Sequence, residues 1–260
     1  MRGRWGSLLI GLGVLALLLG GWQAYIEIED VSPFVLPPPV DVARATWELL
    51  GEGDTWHHLR VTLGEILLGF AIATVVGISV GALLGELPVL DRALTPFLVA
   101  LQVLPKVAVI PLFILWFGFG STSKVIVAAI FGLFPIVAGT QAGIRSVEPG
   151  HRDLAATLNT SARHRLVLFD LPSALPSILT GMEVGIVLAT IGTVVAEYLA
   201  GSEGLGWMAV SLLNQLRVDA LFGVIAVLSA LGFVLHAGVV LLRRVLVPWH
   251  QSAATPRSPW

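Results

Sequence analysis

The chain has no cysteine, only two lysines among its 260 residues, and charged side chains at only 12% of positions. The missing cysteines exclude disulfides, thiolate metal sites and S-acylation. The shortage of charge excludes more. A soluble domain carries about 25% charged residues, and a chain that is 56% hydrophobic cannot clothe its core in water. The composition is that of a membrane protein. With a net charge of −2 and no basic patch interleaved with aromatics, nothing points to nucleic acid. Also missing is the phosphate-cradling loop G-x-x-x-x-G-K-[ST], since Lys106 and Lys124 follow Pro105 and Ser123. No H-E-x-x-H, nucleophile elbow or metal-ligand set occurs. No residue therefore receives a catalytic or metal-binding role. No cofactor is expected in this chain, and any work done by ATP has to come from another one.

What the sequence has is apolar runs, at about 7–26, 61–84, 96–119, 124–143, 181–200 and 220–242. A helix of about 20 apolar residues crosses a ~30 Å hydrocarbon core, so the predicted fold is an all-α polytopic bundle of six transmembrane helices. The first run competes with a cleaved signal peptide, because Arg2 and Arg4 precede its apolar centre. Its length and the poor cleavage site at Gly21–Tyr25 favour a retained span. Residues 27–60 are acidic, and Pro33, Pro37, Pro38 and Pro39 make their first part irregular. Val42, Ala45 and Leu49 then recur at helical spacing, as an amphipathic helix on the outer face or a plain connector. With the N-terminus inside, inner segments hold ten Lys and Arg residues and outer segments four. The positive-inside tendency then puts both termini in the cytoplasm. The tail 251–260, with Pro256 and Pro259, is expected to be disordered. Gly77, Gly81 and Gly85 repeat every four residues, the spacing that lets helices approach closely in lipid.

One long polar interval, 145–180, interrupts the second half. It carries Arg145, Arg152, Arg163 and Arg165 with His151 and His164, so it is expected in the cytoplasm. Pro149 suits the first turn of a short helix through Leu158, and Asn159 can end it in the left-handed conformation. Ser161 can cap a second short helix through Phe169. Leu171 and Pro172 are expected to break that helix, with Ser173–Pro176 turning the chain back to the membrane.

The run Asp153-Leu154-Ala155-Ala156-Thr157-Leu158-Asn159, followed by Leu171-Pro172 and Ala174-Leu175-Pro176, resembles the EAA loop of ATP-binding-cassette importer permeases. Asp153 stands for the family's Glu, Leu154 for its first Ala and Asn159 for its Gly. Leu104-Pro105-Lys106-Val107-Ala108, Trp116-Phe117-Gly118-Phe119-Gly120, Phe134-Pro135-Ile136-Val137, Val195-Ala196-Glu197 and Gly204-Leu205-Gly206 look like the nitrate/sulfonate/taurine branch of these permeases. The match runs over roughly residues 30–250. Glu183 departs from it, since relatives commonly have Arg or Lys there.

The resemblance implies a type I importer permease in the inner membrane. It would form a homodimer embedded in lipid, served by two ATPase subunits that bind ATP and Mg, and by a solute-binding protein. It implies that Asp153, Ala155, Ala156, Leu158, Asn159, Leu171 and Pro172 form the ATPase-coupling loop. It also implies a small solute of the sulfonate, taurine, nitrate or vitamin-precursor type.

Ionisable groups inside spans cost about 2.5–3.5 kcal/mol at a helix centre on insertion scales, so they are functional candidates. Glu197 is expected to line the translocation path or to pair with a neighbour. Lys106, after Pro105, is expected either in a broken, water-accessible part of its span or in a salt bridge. Glu65 and His236 read as packing or snorkelling residues. A proton relay through Glu65, Glu197 and His236 would make the chain a secondary transporter instead. A membrane-embedded enzyme using Glu197 and His236 is a further alternative.

Overall fold

Apolar runs of this length have nowhere to satisfy their backbone in lipid except within themselves, so they fold as helices. The computed structural model describes residues 2–148, 150, 157–158 and 160–248, and every regular element among them is helical. In order these are α1 (Arg2–Ile28), α2 (Pro39–Gly51), α3 (Gly53–Glu86), α4 (Pro88–Val103), α5 (Lys106–Phe117) and α6 (Ser121–Arg145). After the loop come α7 (Ala162–Arg165), a π turn (Leu166–Asp170), α8 (Leu171–Ala200), α9 (Leu205–Asn214) and α10 (Val218–Leu246). Five helices are long and apolar enough to cross a membrane, and α4 with α5 makes a sixth, broken crossing.

The centre is a three-helix block. Gly69 of α3 faces Ala128 of α6, Gly77 faces Ile136, Gly81 faces Thr140 and Gly85 faces Ile144. The constant offset means that α3 and α6 run parallel. A Cβ on Gly81 would sit 2.6 Å from that of Thr140, so the four-residue glycine repeat is a packing surface. Helix α8 runs antiparallel to α6, with Gly143 against Ala174, Gly139 against Ser177 and Gly192 against Phe131. Two parallel helices need a crossing back between them, and α4–α5 supplies it. A second core joins α2 to α9 and α10 through Leu49, Leu205, Met208, Leu212, Leu221 and Val224. Thus α2 buries Ala45 and Leu49 against α10, while Trp47 stays exposed. Along α1, Leu9–Leu19 presents exposed apolar side chains, the surface expected of a helix in lipid. Its ring contact is Trp22 with Phe222, 6.0 Å between centroids.

Two expectations need correction. The run 96–119 is not one straight helix. Its helical part starts at Pro88, and α4 and α5 meet at a 92° bend. Leu104 (φ −54°, ψ 133°) and Pro105 (φ −68°, ψ 89°) both leave the helical region, because the proline ring disfavours helix in the residue before it. Leu171-Pro172, by contrast, breaks nothing. The helix continues from α7 into α8, and the N–H of Leu171 bonds the carbonyl of Leu166 across a π turn. The wider turn relieves the clash between the Pro172 ring and the carbonyl four residues back. Thus the helix expected over 181–200 begins at Leu171, inside the interval read as loop.

Candidate functional site

Polar side chains gather at both ends of the three-helix block and at the bend between α4 and α5. At the loop end, α3 closes at Glu86 and α4 opens at Pro88, so a single residue, Leu87, turns the chain. Arg165, the last residue of α7, pairs with Glu86 and with Asp170, whose Oδ2 accepts from its Nε at 3.1 Å. Asp170 is fully buried. Arg145, the last residue of α6, pairs with Asp91 in the first turn of α4. Asp91 also accepts from Gln141 and, at 2.9 Å, from Thr95. Both feet of the loop are therefore tied to the α3–α4 turn. Ser161 caps α7 as expected, accepting from the N–H of His164 at 3.4 Å.

Of the residues expected in the coupling loop, Leu158 is exposed, and Leu171 and Pro172 lie at the junction of the π turn with α8. Asp153, Ala155, Ala156 and Asn159 lie outside the described residues. Glu86, Asp91 and Asp170 are functional candidates that the sequence analysis does not name. Their signal was spacing: acidic side chains stand at the ends of apolar runs, opposite arginines of the same boundary.

The second site is the bend. Lys106 lies 5.3 Å from the ring of Phe134, near the middle of the 25-residue α6, so the α4–α5 break lies at mid-depth in the bundle. Its Nζ donates to the carbonyl of Gln102 at 3.4 Å. Among the described residues no carboxylate pairs with it, so the expected salt bridge is absent there. Lys106 shares a cavity of about 310 Å³ with Leu101, Leu104, Phe113 and Trp116.

At the opposite end of the block the ionisable groups are buried and paired. Of the two roles expected for Glu197, pairing with a neighbour is the one in place. Its side chain is fully buried, taking hydrogen bonds from Thr62 Oγ1 and from the N–H of Gly206, both at 2.7 Å. Thr62 in turn accepts from the N–H of Leu205 at 2.8 Å, and His58 Nδ1 accepts from Gly204 N–H at 3.1 Å. The α8–α9 turn is thus held to α3 by three hydrogen bonds, and the Gly206–Glu197 bond closes the turn on itself. Glu65 does more than pack or snorkel. It forms a buried ion pair with Lys124 at 3.2 Å, each 3% exposed. His236 is half-buried on α10, beside a surface cavity with Phe233 and Arg244. It does not join Glu65 and Glu197, so the three residues of the imagined proton relay are not brought together. Glu183 pairs with Arg243 of α10, 3.2 Å from its Nε.

A bundle of five or six spans, a braced polar loop and a broken crossing can be compared with known proteins. Residues 62–249 match the family described as binding-protein-dependent transport system inner membrane component. The chain belongs to this family. The importer permease is similar to the taurine transport system permease TauC of Escherichia coli, 33% identical over 93% of this chain and 90% of that one. It is also similar to the riboflavin transport system permease RibX of Chloroflexus aurantiacus, 38% identical over 94% of this chain and 91% of that one. An amino acid ABC transporter structure shares the fold, with a TM-score of 0.55 at 19% identity, over 72% of this chain and 90% of its own. The chain is thus the multi-pass membrane permease subunit of an ABC importer, not a secondary transporter. Membership in the family implies ATPase and solute-binding partners.

Proposed function

We propose that this permease works as a homodimer with both termini cytoplasmic, and that it imports a small organic anion, a sulfonate of the taurine kind first. Its 145–180 interval receives the ATPase subunits through Asp153, Ala155, Ala156, Leu158 and Asn159, with Leu171 and Pro172 setting the return into α8. Movement of that loop shifts the permease between inward and outward openings, which requires each partner to bind the two states with different affinity. The solute is delivered by the binding protein and passes the α4–α5 bend.

The observation that carries the path is the bend at Leu104-Pro105. Irregular backbone at membrane depth is tolerated only where it is buried in protein or lines a water-filled cavity. Within this chain α4 buries no residue, so the bend is best served by a path shared with the second copy. Lys106, a cation at that depth with no carboxylate partner among the described residues, favours an anionic solute over a neutral one. Glu197 lies behind the path, holding the turn that closes the far end.

The test is uptake into vesicles holding the permease, its ATPase and its binding protein, with labelled taurine and riboflavin compared. ATP-dependent taurine uptake that falls at least about tenfold in Lys106→Gln, as loss of a hydrogen bond to a charged group implies, supports the path. Uptake driven by a proton gradient without the ATPase refutes the scheme. Asn159→Val, stiff and unsuited to a left-handed turn, should uncouple hydrolysis from uptake or release the ATPase. Normal assembly and uptake in that variant would remove Asn159 from the coupling loop.

A further inference from the structure

We infer that the Arg145–Asp91 pair is the joint that carries loop movement into the bent helix pair, with Asp91 as its positioning residue. The inference rests on the coupling reading above but names a connection that reading does not require. Helices α3, α6 and α8 are locked together by glycines. A Cβ at Gly85 would stand 2.6 Å from that of Ile144, and one at Gly143 would stand 2.8 Å from that of Ala174. Such contacts move as one body, because close-packed helices do not deform continuously. Helix α4 is different. It buries no residue, and among the described residues its polar side-chain contacts to the rest of the block are those of Asp91 with Arg145 and Gln141.

The two loop feet therefore have different duties. Arg165 holds the returning limb of the loop to Glu86 of the locked block and to buried Asp170 in the π turn that leads into α8. Arg145, the last residue of α6 where the loop leaves it, reaches instead to α4. From Asp91 to the bend at Leu104 are 13 residues, about 20 Å of helix at 1.5 Å per residue. A tilt of about 10° at the Asp91 end moves the bend by about 3 Å over that arm. The bend carries Pro105 and Lys106, so a displacement at the loop appears at the place where the solute would pass. Thr95, one turn on, donates to the same carboxylate at 2.9 Å. It fixes the Asp91 rotamer, so that pull on the carboxylate becomes pull on the helix axis. Arg145 is 46% exposed and Asp91 15%, and a pair with one side open to solvent contributes only modestly to folding. Beside Gln141, Arg145 forms the polar link to α4 among the described residues, a place better explained by transmission.

The test uses the complete transporter in vesicles with Asp91→Asn, Arg145→Gln and the exchanged pair Asp91→Arg/Arg145→Asp. Three quantities are read: ATPase subunit co-purifying with the permease, hydrolysis stimulated by loaded binding protein, and uptake per ATP. The single variants are expected to keep the ATPase and its hydrolysis while uptake per ATP falls at least about fivefold, the scale of a coupling residue. The exchanged pair is expected to regain at least about half of the loss, as a direct pair requires. Unchanged uptake per ATP in both single variants overturns the inference, and so does an exchanged pair no better than either single. If the unmodified permease fails to hold an ATPase, the coupling reading itself fails, separately from the joint.

Discussion

Removing the Glu197 carboxylate should loosen the far end of the bundle by an amount that the geometry bounds. Glu197 is fully buried and accepts from Thr62 Oγ1 and from the N–H of Gly206. In Glu197→Ala both donors lose their acceptor inside the packed turn. Leaving a buried donor unsatisfied costs about 1–3 kcal/mol, so the variant should lose about 2–6 kcal/mol for the two. Glu197→Gln keeps one acceptor oxygen but presents an amide N–H₂ to the other donor, so about half that loss is expected. Thermal melting of the purified protein in detergent, followed by tryptophan fluorescence, should rank the unmodified chain above Glu197→Gln and both above Glu197→Ala. Gly204 provides an internal check. Its φ is +103°, and a Cβ there would overlap the Glu197 carboxylate. Gly204→Ala should therefore destabilise through both overlap and strain, the strain alone about 1–3 kcal/mol. In the Glu197→Ala background the overlap is gone and only the strain remains. The two losses must be less than additive by about 1 kcal/mol or more. A Glu197→Ala protein that melts like the unmodified one would refute the reasoning, as would strict additivity with Gly204→Ala.

Glu65→Leu should cost about 3–5 kcal/mol by stranding the Lys124 ammonium, whereas Glu65→Leu/Lys124→Leu should cost less, because the buried pair is replaced rather than broken. The same melting assay decides it, and a double variant less stable than the single would contradict the ion-pair reading. Gly81→Val should cost about 1–3 kcal/mol or more, since its Cβ meets Thr140 and, at 2.7 Å, the Val137 carbonyl. Gly64→Ala on the same helix, with nothing within 4 Å, should leave stability unchanged or raise it by about 0.5–1 kcal/mol.

The number of crossings and the one long polar interval were legible because they depend on properties summed over 20 or more residues. Apolar length decides whether a helix can span, and the arginines of 145–180 decide which interval stays polar. The ends of helices were harder, because they turn on single contacts. Pro105 and Pro172 look alike in the sequence, each following a leucine. One produces a 92° bend and the other is absorbed by a π turn. The difference is tertiary. Behind Pro172, Asp170 is anchored to Arg165 while α8 packs tightly on α6 through Ala174. Helix α4 has no buried residue to hold it in line with α5. The pairing of Glu65 with Lys124 was hidden for the same reason, since partners 59 positions apart carry no local signal.

That same difference in anchoring has a functional consequence. A transporter driven from one loop needs one part that does not yield and one that does. Glycine contacts along α3, α6 and α8 supply the first, and the hydrogen-bonded turn at Gly204–Gly206 closes its far end. The second has to be weakly packed, interrupted at solute depth and connected to the driven loop. Helix α4 meets the first condition, since it buries no residue, while α5 packs Ile110 and Ile114 against α6. Leu104-Pro105 meets the second and Asp91 the third. No other pair of helices among the described residues meets all three. If motion were instead spread evenly through the bundle, the Gly81→Val variant would disturb uptake per ATP as strongly as Asp91→Asn. A yielding α4–α5 pair predicts that Gly81→Val lowers stability while the uptake of each surviving molecule stays within about twofold, because ordinary core damage acts on the amount of folded protein.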